Sequence, residues 1–173
     1  MTVHAARGNA ILLAKDSGYP AHLAFYLAHE LAHVALGHLR VGDAIVDLDT
    51  NQLSSLDDVE EYAADAYALE LLTGQPRPVV LPHADRYVAR QLADDAVTAS
   101  QNLRIEPGTL ALCFGYSTGN WRTVNAAMRS IYTAPKPAWV EINKLARKEL
   151  RTGAVAEDSR FYLESILGLG ATG

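Results

Sequence analysis

The sequence predicts an α+β fold, mostly helical, with a small antiparallel sheet near its start and a helical C-terminal region. Short apolar runs bounded by turn residues, NAILLA and AIVDLD, occur early, whereas longer segments with helical spacing and cap signals fill most of the rest. At 173 residues, with 49% hydrophobic and 20% charged residues, the chain is long enough to bury roughly two-thirds of the surface it exposes when unfolded.

Asn9 to Ala14 reads as a buried strand ahead of a turn-rich stretch from Lys15 to Pro20. A helix containing His29 and His33 follows, and Ala44 to Asp49 is the second strand candidate. The next helix runs from Val59 to Leu72. Ser54 or Ser55 caps its start, acidic residues occupy its first turn, and Gly74 with Pro76 closes it. Gln75-Pro76-Arg77-Pro78 then breaks the helical pattern, which predicts a core of residues 1–76 and a helical region of residues 77–173 packed on it. In that region Asp85 to Gln101 is amphipathic and a helix opens at Pro107 and runs through Leu112. Gly115 to Asn120 reads as a break, and Trp121 to Tyr132 is helical again. Pro135 and Pro137 precede two last helices, about residues 138–151 and 158–168.

Chemistry concentrates in His29-Glu30-Leu31-Ala32-His33. On a helix the two imidazoles, at i and i+4, lie on one face and can grip one metal ion, while Glu30 stands beside the first. A zinc ion held this way needs a further protein ligand and an open position for water, whose proton Glu30 is placed to take. Glu61 and Asp65 are also four apart, so one carboxylate is available to the metal and the other to a ligand histidine. Two histidines, a glutamate one helix later and an aspartate one turn beyond it make up the zinc set of glutamate-type zinc peptidases.

The run FYLAHELAHVALGH from Phe25 to His38, followed by EEYAADAYALELLTG from Glu60 to Gly74, resembles the ImmA/IrrE family of metallo-endopeptidases. That family pairs an H-E-L-G-H-x-x-L-G-H helix with a later E-x-x-A-N/D-x-F-A-x-x-L-L helix, and the resemblance covers roughly residues 8–76. Ala32 stands where the family often has glycine and Tyr67 where it often has phenylalanine. The resemblance implies one zinc per chain on His29, His33 and Glu61, Glu30 as general base and Asp65 as the outer carboxylate that orients a histidine. It also implies a protein substrate, a helix-turn-helix repressor or antitoxin cut at one site so that its genes are released, in a bacterial or phage setting.

Glu60 is the alternative ligand to Glu61, but one residue turns it about 100° around the helix, away from Asp65. His38 lies five residues after His33, about 140° off the ligand face, which suits packing or the substrate or oxyanion side better than ligation. Tyr26, Tyr62 and Tyr67 fall at helical spacing near the site; such a stripe fits the core, and Tyr26 or Tyr62 is also a candidate for the oxyanion. His4, His22 and His83 have no partner at metal spacing and read as structural, and the single Cys113 reads as a buried small hydrophobe.

The net charge is −5, unevenly spread. Residues 1–76 carry three Lys and Arg against eleven Asp and Glu, and residues 77–173 carry twelve against nine. Carboxylates such as Asp43, Asp47, Asp49, Asp57 and Asp58 favour cations and basic peptides over nucleic acid. No run approaches the ~20 apolar residues of a membrane span and no secretory signal is evident, so the expected location is cytoplasmic. Residues 107–130 have the helix, glycine-containing turn, helix form of a helix-turn-helix, with Arg122, Asn125 and Arg129 as base-reading candidates. The slight basic excess favours a plain helical pair over direct nucleic-acid binding. Two rivals to a peptidase remain: a regulator that holds a metal and sequesters its repressor without cutting it, and a DNA-binding regulator.

Overall fold

The computed structural model describes residues 2–5, 8–13, 17–39, 44–45, 55–83, 86–134, 137–149 and 157–167. Most of these are helical. They form two compact units, Met1–Lys136 and Pro137–Gly173. The second contains α6 (Ala138–Glu149) and α7 (Glu157–Ile166), in which the Arg147 guanidinium donates to the Leu167 carbonyl.

Three short strands open the first unit: β1 (Thr2–Ala5), β2 (Gly8–Ile11) and β3 (Ala44–Ile45). They pair antiparallel in the order β2-β1-β3, with Thr2 opposite Ile11 on one side and Ile45 on the other. The buried strand expected at Asn9–Ala14 begins one residue earlier, ends at Ile11 and is not buried, for Asn9 and Ala10 are exposed and Ile11 half-buried; Ala14 lies outside the described residues. Of the one expected at Ala44–Asp49, residues 46–49 lie outside the described residues. The central strand β1 has no sequence signal of its own, because a run of four residues is too short for periodicity to register.

Helix α1 (Pro20–Ala35) starts at a proline whose missing N–H would have been an unpaired donor in the first turn anyway. Tyr19 before it is extended, with φ −115° and ψ 118°, the conformation favoured for a residue preceding proline. Helix α2 (Ser55–Thr73) packs along α1. Ser55 is its first residue, and Ser54, the other expected cap, lies outside the described residues, as do Asp43, Asp47, Asp49 and Asp85. Ala28 and Ala32 on α1, and Ala64 and Ala68 on α2, are all buried. Small buried residues one turn apart on each helix suit a close helix contact, and it is between these two helices that the polar residues of the site meet.

The polypeptide continues past the Gln75–Pro78 break within the same unit, through α3 (Ala89–Leu103), α4 (Pro107–Thr118) and α5 (Trp121–Ile131). Helix α4 is buried at every position from Gly108 to Gly115 and packs on α1, α3 and α5. A helix apolar on all sides belongs inside a core, and here Leu110 and Phe114 join Phe25 and Ala28 of α1, Leu92 of α3, and Val124 and Met128 of α5 in one cluster. The Glu106 carboxylate caps α4 by accepting from Thr109 N at 2.8 Å, and its other oxygen accepts from Tyr132 Oη at 2.6 Å. The break expected at Gly115–Asn120 is a correction: α4 runs on to Thr118 and turns only at Gly119 and Asn120. Gly115 serves close approach, since a Cβ there would stand 2.5 Å from the Trp121 ring.

Candidate metal centre

Helices α1 and α2 bring three potential ligands to one point. His29 Nε2 lies 3.0 Å from Glu61 Oε2 and 3.1 Å from His33 Nε2, and His33 Nε2 lies 3.4 Å from Glu61 Oε1. Among the described residues, His29, His33 and Glu61 form the one group of His, Cys, Asp and Glu side chains whose atoms converge closely enough to hold a metal ion. Glu60, the neighbour of Glu61, is outside it. The helical period explains the convergence: one turn separates His29 from His33, so their rings follow one another along the axis with centroids 4.9 Å apart.

Behind the ligand atoms each imidazole has a separate partner. His29 Nδ1 lies 2.9 Å from Asp65 Oδ1, one turn beyond Glu61 on α2. His33 Nδ1 lies 3.0 Å from His38 Nδ1. His38 is outside the ligand group, as its spacing from His33 implies, and its ring stands at the nitrogen of His33 remote from Glu61. The reason is the end of α1. Gly37, at φ +74°, takes the left-handed conformation, and His38 N then bonds to His33 O at 3.0 Å. This helix-ending turn folds the residue after the glycine back over the third-last helical residue. The 140° separation between positions 33 and 38 assumes a helix that has already ended.

Glu30 is buried, 5% exposed, and Thr2 Oγ1 of the central strand donates to its Oε2 at 2.5 Å. The same hydroxyl is 3.3 Å from the Glu30 carbonyl oxygen. The sheet thus holds the carboxylate beside the ligand pair, close enough for its charge to act on His33. Nothing in the linear pattern marks Thr2. The Leu36-Gly37-His38 end of α1, by contrast, carries the glycine signal from which the placement of His38 follows.

Electrostatics divide the two imidazoles. Burial pulls His29 down, but hydrogen bonds and charge from Asp65 and Glu61 outweigh it and raise its pKa to about 9. Burial lowers that of His33, assisted by the like charges of His29 and His38 and opposed by Glu61 and Glu30. At neutral pH His29 is therefore the imidazolium and His33 the neutral ring. His29 Nε2 faces both Glu61 Oε2 and His33 Nε2, so a divalent cation bound there would have to displace its proton.

The remaining residues singled out in the sequence are not members of that ligand group. Tyr26 packs against the core with its ring 6.2 Å from that of His22. Tyr62 is 75% exposed on α2, a rotation of about 100° from Glu61. His22 is engaged by Ser17 Oγ at 2.9 Å, and Cys113 is buried. No helix among the described residues is long and apolar enough to cross a membrane. No family model, curated protein sequence or solved structure matches the chain.

Proposed function

We propose that this chain is a zinc-dependent endopeptidase of the ImmA/IrrE kind, acting in the cytoplasm on a helix-turn-helix repressor or antitoxin. The convergence of His29, His33 and Glu61 carries the reading. Ligand atoms at the corners of a tetrahedron with bonds of about 2.0–2.1 Å lie roughly 3.3–3.4 Å apart. The two imidazole nitrogens stand 3.1 Å apart, His29 Nε2 lies 3.0 Å from one Glu61 oxygen and His33 Nε2 3.4 Å from the other, and one ligand atom from each residue lies within 4.8 Å of the other two, a spacing in the range such an ion requires. Two imidazole nitrogens and one carboxylate oxygen favour zinc over calcium or magnesium, which take mostly oxygen ligands. Three protein ligands leave a fourth position open, as hydrolysis requires and a purely structural site does not.

Bound zinc would polarise the scissile carbonyl and lower the pKa of the attacking water. Glu30 then takes the proton released from that water and returns it to the nitrogen of the leaving amine, so the peptide C–N bond breaks after the C–O bond has formed. Thr2 fixes the carboxylate for this task through Oε2. Asp65 keeps the proton of His29 on Nδ1, leaving Nε2 for the ion.

The test is incubation of the zinc-loaded protein with helix-turn-helix proteins encoded beside its gene, read by mass spectrometry for a single internal cut. Wild type should cut, and Glu30→Gln should retain zinc and fold yet cut at least ~100-fold more slowly. A partner that is bound but left whole by both proteins would support a sequestering regulator in place of a peptidase.

A further inference from the structure

The contact between His33 and His38 has one proton arrangement compatible with a metal ion on His33 Nε2. For Nε2 of His33 to direct a lone pair at the point shared with His29 and Glu61, the ring must carry its proton on Nδ1. That nitrogen is 3.0 Å from His38 Nδ1, so His38 Nδ1 must be the acceptor and the proton of His38 must sit on Nε2. The rings meet at 69° with centroids 5.1 Å apart. His33 is 1% exposed, which leaves little room for water to replace the partner if it is removed. Gly37 and the His38 N to His33 O bond hold the acceptor in place through the backbone.

We infer that His38 is a positioning residue for the metal centre, selecting the Nδ1–H tautomer of His33 and thereby aiming its Nε2 at the ion. The inference rests on the metallopeptidase reading above and adds to it an asymmetry. His29 is backed by a carboxylate, His33 by a second imidazole supplied by the turn that ends its own helix. A ligand histidine ordinarily gives its second N–H to a carboxylate, a carbonyl or water. A second histidine can fill that role because the turn at Gly37 carries it across from what would otherwise be another face of the helix.

Two variants and one spectroscopic measurement test this. His38→Phe keeps a ring of similar size without an acceptor, and His38→Gln restores an acceptor in its side-chain carbonyl. Zinc affinity is read by competition with a chromophoric chelator, and the His33 tautomer by long-range proton–nitrogen NMR on the zinc-free wild type. The expected result is the Nδ1–H form in wild type, zinc binding about 10–100-fold weaker in His38→Phe, and most of the loss recovered in His38→Gln. Unchanged affinity in His38→Phe, equal losses in both variants, or an Nε2–H tautomer in wild type would each overturn the assignment, the second by making His38 a purely structural residue. Wild type that binds no zinc would end the metallopeptidase reading and this inference together. Zinc binding by wild type with no change in His38→Phe would end the inference alone.

Discussion

The Nδ1 atom of His29 and Oδ1 of Asp65 meet at 2.9 Å across the α1–α2 interface, while the other nitrogen of the same ring faces Glu61 at 3.0 Å. One imidazole thus bridges two carboxylates one turn apart on a single helix. If Asp65 orients His29, Asp65→Ala should weaken zinc binding about 10–100-fold while the protein stays folded. It should also lower the pKa of His29, because one of the two carboxylates that raise it is gone. Chelator competition and NMR titration of the His29 ring measure the two effects. Unchanged zinc affinity would make Asp65 an ordinary ion-pair partner.

The same bridge sets a pH dependence. The pKa of His29 is raised from 6.5 to about 9, so zinc must displace a proton throughout the neutral range. Affinity should rise about tenfold per pH unit towards pH 9 and then level off. Without zinc the sign is opposite. A group whose pKa is raised on folding contributes stability that is fully present below its ordinary value and is lost as pH climbs through the raised one. Denaturant titration of zinc-free protein should therefore show His29's contribution complete below pH 6.5 and fading by about pH 9. A zinc affinity that is flat between pH 7 and 9 would show that His29 is already neutral there.

Residues whose relation is fixed by a helical turn are legible in the amino-acid sequence: His29 with His33, and Glu61 with Asp65, need only the 3.6-residue period to share a face. The meeting of the two helices is legible there only as a resemblance, because it depends on buried alanines whose packing a linear pattern does not specify. Helical geometry keeps His38 out of the ligand group but does not give its contact with His33, because the angle between positions 33 and 38 is drawn on a helix that stops at Ala35. Thr2 escapes the linear pattern because strand pairing is non-local: its contact with Glu30 spans 28 positions. Gly115 reads as punctuation, yet its role is to admit the Trp121 ring.

Thr2 offers a separate check on how the sheet serves the site. Thr2→Val preserves shape and removes the hydroxyl that donates to the buried Glu30 carboxylate. Leaving a buried acceptor without that donor should cost about 1–3 kcal/mol of stability. Zinc affinity should stay near wild type, since no ligand or ligand partner is changed. Denaturant unfolding and chelator competition read the two quantities. A loss of zinc affinity as large as that of Asp65→Ala would mean that β1 supports the ligands themselves and not the base alone.

For the proposed peptidase, substrate choice is the step furthest from the candidate metal centre. On α5, Arg122, Asn125 and Arg129 are exposed and spaced at about one helical turn. The adjoining Trp121 packs on Tyr116 at 5.0 Å, Tyr116 on Phe25 at 4.8 Å, and Phe25 lies 6.3 Å from the ring of His29. This aromatic series ties the start of α5 to the helix that carries His29, so a partner seated on α5 would be held in fixed relation to the candidate metal centre. Remote contacts of that kind position a reacting bond without touching it. Replacing Arg122 and Arg129 with glutamate should slow cleavage of the intact partner and leave cleavage of a short peptide bearing the same scissile bond unchanged. Equal loss on both substrates would assign the arginines to support of the core, and loss on neither would remove α5 from recognition. Should the wild type instead retain DNA with a steep salt dependence that the double variant abolishes, this face serves nucleic acid and not the protein partner.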